Sequence, residues 1–188
     1  MPAASPSAPG QDPNPDQEPD HEAVARKILL DQLTGQARSR ADLAGKLAKK
    51  NVPEPVAERL LERFEEVGLV DDAAFARSWV QSRQSGKGLA RRALALELRR
   101  KGVSDEDARA ALDEVDSDQE TDAARRLVQR KLRTLRRVDR TTATRRLVGM
   151  LGRKGYPPGM ALSVVREELD ACDDESTDAR EPDDDYLP

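Results

Sequence analysis

Apolar residues recur every three to four positions through most of this chain, and no window alternates apolar and polar residues as a strand would. Phe75, Ala76, Trp79 and Val80 fall in one arc at helical spacing. Leu94, Ala95 and Leu98 form another, and Leu147, Val148 and Leu151 repeat it. The pattern predicts helices throughout, and their breaks can be read directly. Proline is absent between Pro55 and Pro157, and glycine falls mostly where a stripe ends. The expected helices run 22–36, 40–50 and 54–67, then 72–86, 89–101 and 105–115, then 118–137, 140–154 and 158–169. Start signals accompany them. Ser39 with Asp42, Ser104 with Asp107, and Ser117 with Glu120 have capping-box spacing, Asp71 can cap the fourth helix, and Pro157-Pro158 supply a rigid start for the last.

The apolar pattern also repeats on a longer scale. Leu47-Ala-Lys-Lys-Asn51-Val52 returns as Leu98-Arg-Arg-Lys-Gly102-Val103 and again as Leu151-Gly-Arg-Lys-Gly155-Tyr156. Leu43, Leu94 and Leu147 match upstream, and Ala57, Ala108 and Ala161 match downstream. A fixed period means one supersecondary unit used several times. Asn and Gly tolerate the left-handed backbone that ends a helix, so the repeated motif reads as a helix ending followed by an apolar residue folding back. The fold class is therefore all-α: three tandem three-helix units at 23–70, 71–116 and 117–169. With five aromatic residues in the chain, the cores should be small and rich in Leu and Ala.

Composition sets the ends apart. Residues 1–22 carry six prolines, five acids and no Lys or Arg, and residues 170–188 carry nine acids against Arg180. Both stretches are expected to be disordered, because little apolar surface is available to offset ordering entropy. The middle, 23–169, holds 31 bases and 22 acids, so a basic body stands between acidic tails. That division points to an anionic partner. The single cysteine, Cys172, and single histidine, His21, both lie in the tails, which leaves no disulfide framework and no Cys/His metal set. No metal, cofactor or catalytic residue is expected. No apolar run is long enough to cross a membrane, and the N-terminus has no signal-peptide pattern, so a soluble cytoplasmic monomer is expected.

Charge is also uneven within the body. Between Thr121 and Gly155 stand twelve bases, mostly arginine, and two acids. On a wheel of 121–137, Ala124, Leu127, Val128, Leu132 and Leu135 take one side, while Arg125, Arg126, Arg130, Arg133, Arg136 and Arg137 take the other. Lys131 belongs with them to the basic candidates of this helix. Arg145, Arg146, Arg153 and Lys154 extend the surface on the next helix, and Arg92, Arg99, Arg100 and Lys101 add to it in the second unit. Solvated helix faces ordinarily mix signs, whereas this one repels itself unless an anion answers it. Arginine's planar fork suits phosphate or carboxylate. Tyr156 is the one aromatic residue near the face, so contact with nucleic acid would run mainly through phosphate. An acidic protein groove fits equally well.

Asp71 and Asp72 could suggest paired carboxylates for acid–base work, but at a helix start, with no histidine beside them, they read as caps. Trp79 and Arg83, one turn apart, read as a structural cation–π pair. Gly86-Lys87-Gly88 lacks the strand and Ser/Thr of a phosphate loop and reads as a joint.

The stretch Gly68-Leu-Val-Asp-Asp-Ala-Ala-Phe75-Ala76, followed by Trp79, Arg83, Gly86, Gly88 and Glu97-Leu-Arg-Arg-Lys-Gly102-Val103, resembles the central signature of the RecX family. The signature positions matched are Asp71, Asp72, Phe75, Trp79, Arg83, Gly86 and Gly102, most of them structural in character. The resemblance covers roughly 23–169. It implies three three-helix repeats in an elongated, curved array and a non-catalytic regulator that binds the RecA–DNA filament. Such a regulator restrains RecA's ATP hydrolysis, strand exchange and co-protease activity, in DNA repair and the SOS response. It also implies weak DNA contact in some members. The chain departs from the family pattern in its acidic tails and in Asn51, where glycine is usual. The alternative is a stand-alone helical DNA-binding regulator, since three-helix units can resemble helix-turn-helix modules.

Overall fold

The computed structural model describes residues 20–135 and 137–178, with side chains to residue 173. The expected disordered stretch 1–22 lies outside the described residues except at its end, where Asp20 caps the first helix by accepting from the amides of Glu22 and Ala23. Residues 179–188 of the expected acidic tail, and Arg136, also lie outside them.

Among the described residues there are nine helices and no strand. They are α1 (His21–Leu33), α2 (Arg40–Ala48), α3 (Glu54–Glu66), α4 (Asp72–Lys87), α5 (Arg91–Arg100), α6 (Asp105–Asp113), α7 (Ser117–Leu132), α8 (Arg140–Arg153) and α9 (Pro158–Asp178). Helices pack along their lengths only within a unit, α1–α3, α4–α6 and α7–α9. Each unit has its own core: Leu29, Leu43, Leu47 and Leu61 in the first; Phe75, Leu94 and Leu98 in the second; Val128, Leu147, Leu151 and Val165 in the third. Helices this short are marginal alone, and burial of these leucine stripes stabilises each at about 1.5–3 kcal/mol per fully buried side chain.

The repeated motif is one helix ending built three times. The amides of Val52, Val103 and Tyr156 each donate across 3.2 Å to the carbonyls of Leu47, Leu98 and Leu151. Asn51, Gly102 and Gly155 take positive φ, at 56°, 73° and 91°. The apolar residue that follows each is buried. These bonds satisfy carbonyls that a helix end leaves open.

Most expected caps form. Ser39, Asp71 and Ser104 accept from the amides of Asp42, Ala74 and Asp107. The expected box at Ser117 and Glu120 does not form. Asp116 caps α7 instead, accepting from Asp118, because Glu120 is engaged elsewhere. Helix α7 also stops at Leu132 rather than 137. Beyond it the amides of Thr134, Leu135 and Val138 each reach back three residues, which turns Leu135 into the core. Conversely, α9 runs past 169 to Asp178. Arg140 at the start of α8 binds both Asp170 and Asp173, and this clamp orders a turn that composition alone would leave free.

Candidate functional site

The units meet end to start, and both meetings use the same backbone plan. In the first joint the N-cap residue of α2, Ser39, donates its hydroxyl to the carbonyl of Lys101, the C-cap of α5, at 2.7 Å. The first amide of α2, on Arg40, is capped by Asp72 from the next unit at 2.8 Å. In the second joint the N-cap residue of α5, Ala90, donates its amide to the carbonyl of Lys154, the C-cap of α8, at 2.9 Å. The first amide of α5, on Arg91, is capped by Glu120 from the next unit at 2.8 Å. Among the described residues Ser39 and Glu120 are the buried polar ones, and each sits in a joint. A buried polar group needs such a partner to offset its desolvation.

The glycines of the repeat serve both joints. A Cβ on Gly102 would stand 2.3 Å from Ala41 Cβ, and one on Gly155 would stand 2.6 Å from the Ala93 amide nitrogen. No unit precedes the first among the described residues, so Asn51 fills the same backbone role without that constraint. Joint one also gathers most of the signature. The Trp79 ring has the Arg83 guanidinium 4.0 Å from its centroid and the Lys101 ammonium at 5.0 Å. Trp79 Nε1 donates to Glu97 Oε2 at 2.9 Å. Arg83 Nε is 3.2 Å from the same oxygen, within ion-pair distance but poorly aligned for a hydrogen bond. Phe75 is core, and Asp71 caps its own helix. Burial pushes the Asp72 carboxyl above its usual range, opposed by the Arg40 amide. Gly86 faces open space, and nothing in the structure explains it.

The joints differ in side-chain charge. At the third position of α2, Asp42 holds the Lys101 ammonium at 2.7 Å. Arg40 pairs with Glu65 at 3.2 Å beside it. The third position of α5 is Ala93, so Lys154 meets no acid. Its ammonium donates instead to the carbonyl of Lys87. Burial, followed by the charges of Arg130 and Lys87, holds the Lys154 ammonium below its ordinary pKa. Tyr156 donates to the Gly88 carbonyl at 3.2 Å, and its hydroxyl is pushed up to about 12 by burial and Glu120, against Arg126.

The basic residues named from the sequence therefore separate into two groups. Lys101 and Lys154 sit in joints. Arg125 points to the other flank of α7, where it binds Asp122 at 3.1 Å and Glu167 at 3.2 Å. Arg99 stands 3.5 Å from Asp105. Arg92, Arg100, Arg126, Arg130, Lys131, Arg145, Arg146 and Arg153 are exposed on their helices, with no ion pair to a described residue. Arg133 and Arg137 are exposed as well, but in the turn after α7 rather than on its face. Sequence reasoning missed Glu120, Arg140 and the joint role of Asp72. Glu120 left one signal, an acid on the stripe it shares with Ala124, Leu127 and Val128.

Two depressions accompany these charges. Between α5 and α6 lies a groove of about 580 Å³ lined by apolar residues that include Leu96, Val103 and Leu112, by Arg91, Arg92, Arg99 and Arg109, and by Asp105 and Asp113. Between α4 and α7, across the second joint, lies a cleft of about 360 Å³ lined by Gln81, Gln84, Ser85, Gln119 and Arg126, with Asp122 and Ala123. Among the described residues no group of three His, Cys, Asp or Glu could hold a metal, and no helix is long and apolar enough to cross a membrane.

Family models match all three units: the first three-helix domain of RecX over residues 25–64, the second over 71–112 and the third over 118–165. Regulatory protein RecX of Streptomyces coelicolor is 58% identical over 111 residues, 59% of each chain. That of Thermobifida fusca is 54% identical over 112 residues, 60% of each chain. That of Amycolatopsis mediterranei is 52% identical over 118 residues, 63% of this chain and 67% of the relative. The chain thus spans about 60% of the length of the first two of these relatives. Among solved structures, RecX from Lactobacillus salivarius superposes with a TM-score of 0.71 at 18% identity, over 79% of this chain and 97% of that one. A second regulatory protein RecX gives 0.69 at 26% identity, over 80% and 72%.

Proposed function

The chain belongs to the RecX family, and from that premise we propose that it is a cytoplasmic, non-catalytic regulator that binds the RecA–DNA filament and restrains it. Restraint covers RecA's ATP hydrolysis, strand exchange and co-protease activity, which places the protein in recombinational repair and the SOS response. The observation that carries this reading is the unanswered positive surface of the third unit, at one end of a row of three jointed units. A row of units reaches across neighbouring subunits of a helical assembly, as repeat arrays generally do. Arginines without acid partners favour an anionic surface, and a filament of protein on DNA offers both carboxylates and phosphates. The groove on the second unit, apolar in part and lined by four arginines and two aspartates, has the make-up of a protein contact.

The test follows ATP turnover by RecA on single-stranded DNA while this protein is added at well below one copy per RecA. Turnover should fall. Unchanged turnover, with the filament formed and the protein folded, would remove the reading.

A further inference from the structure

In joint one a lysine at a helix end meets an aspartate three residues into the preceding unit's middle helix. Joint two repeats the lysine, the carbonyl contact, the glycine and the carboxylate cap, but not the aspartate. Ala93 stands in its place. Lys154 is left with Arg130 and Lys87 as its charged neighbours, and Arg126 lies beside Tyr156 on the same flank. Lys154, Arg130 and Lys87 are like charges that oppose each other around a partly buried ammonium unless a counter-charge enters. The backbone plan has kept a place for that charge, and this chain does not fill it.

We propose that the second joint is a binding site for the phosphodiester backbone of a single-stranded nucleic acid, whose phosphate takes the place that Asp42 holds in the first joint. The proposal deepens the regulatory reading by naming where the strand is held, and rests on that reading only for its biological setting. Two observations favour nucleic acid over an acidic protein segment. The cleft between α4 and α7, which Arg126 lines, also presents the side chains of Gln81, Gln84, Gln119 and Ser85, while its one acid, Asp122, is paired with Arg125 at 3.1 Å. The glutamine amides and the serine hydroxyl both donate and accept, as base edges and sugar hydroxyls require. The large exposed apolar residues, among them Leu69, Leu96 and Leu162, do not line this cleft. A protein contact would need a buried apolar centre there. The flank carries no exposed aromatic residue for bases to stack on, so binding is through phosphate, salt-sensitive and indifferent to sequence.

The experiment uses the full chain without RecA and a short fluorescein-labelled oligothymidine, followed by anisotropy from about 50 mM to 200 mM NaCl, the span over which phosphate contacts lose affinity. The wild type should bind with a negative salt slope. Arg126→Gln with Arg130→Gln, both exposed and unpaired, should weaken binding by roughly tenfold and flatten the slope by about 1.4, at about 0.7 per phosphate contact on a single strand. Ala93→Asp should weaken it by roughly fivefold by supplying the missing acid, with a slope change of about 0.7. Should that variant misfold, the arginine pair still decides. Arg59→Gln with Arg63→Gln, a charge-matched exposed pair on α3 of the first unit, should change affinity less than twofold.

Four outcomes would each overturn the proposal. They are no binding by the wild type at the lowest salt, an unchanged slope in the Arg126/Arg130 pair, an equal loss in the Arg59/Arg63 pair, and displacement by polyglutamate as effective as by unlabelled oligothymidine. Because RecA is absent, these results are separate from the ATP-turnover test.

Discussion

The two joints share a backbone and differ in charge. Each uses an N-cap residue bonded to a lysine carbonyl, a carboxylate cap from the following unit and a glycine pressed against the preceding middle helix. Joint one then closes its own electrostatics through Asp42, Glu65 and Glu97. Joint two gathers three bases, Lys87, Arg130 and Lys154, with no ion pair among them to an acid, since Glu120 there caps the Arg91 amide. Repetition therefore explains how the units are held, and the departure from repetition is confined to side-chain charge.

The largest effect should come from the shared part. Gly102→Ala and Gly155→Ala must place a Cβ inside contact distance at positive φ, so each should cost about 2–4 kcal/mol in chemical denaturation, combining left-handed strain with overpacking. Asn51→Ala, with no unit pressed against it, should cost only the strain, about 1 kcal/mol. Equal costs at all three positions would mean that the glycines do not serve the joints.

Next in size are the carboxylate caps. Asp72→Ala and Glu120→Ala each leave a helix-start amide without its acceptor, and each should lose about 1–2 kcal/mol by the same measurement. A loss at one joint only would break the equivalence between them.

The charge difference should show as a difference in sign. Lys101→Gln breaks a partly buried ion pair and a contact with Trp79, and should cost about 0.5–1 kcal/mol after screening. Lys154→Gln removes a charge that its neighbours oppose, and should leave the melting temperature unchanged or raise it. Matching losses would show that the second joint has a counter-charge after all.

The smallest effect is in acid. Asp139 and Glu167 in the third unit have carboxyls held below their usual range, Asp139 by the Thr142 amide and Glu167 by Ser163 and then Arg125. Their folded values lie below the unfolded ones, so their contribution is present above about pH 4 and lost as pH falls through the folded values. Asp72 runs the other way: its raised folded value means that protonation favours the folded joint as pH falls through that range. Melting followed between about pH 5 and pH 3 should become less pH-dependent in Asp139→Asn and more so in Asp72→Asn. Opposite changes would reverse these assignments.

Helix starts and ends were legible in the chain because they are local. Ser39, Asp71 and Ser104 cap within three residues, and Asn51, Gly102 and Gly155 end helices by their own backbone freedom. The joints were not legible, because their bonds span 62 residues from Ser39 to Lys101 and 29 from Arg91 to Glu120. A helical wheel places a base on a face but cannot show whether an acid from another helix reaches it. Arg125 and Lys101 looked like Arg126 and Arg130 for that reason, until Glu167 and Asp42 were seen beside them. The extension of α9 escaped notice on the same grounds, since Arg140 lies 30 residues before Asp170.

The central claim is that the unanswered bases of the third unit act on the filament. The most direct measurement compares RecA ATP turnover on single-stranded DNA with wild-type protein and with the combined Arg126→Glu, Arg130→Glu and Arg133→Glu variant, after circular dichroism has shown equal helicity. The wild type should inhibit and the variant should not. Equal inhibition by both would contradict it and move the working surface away from the third unit.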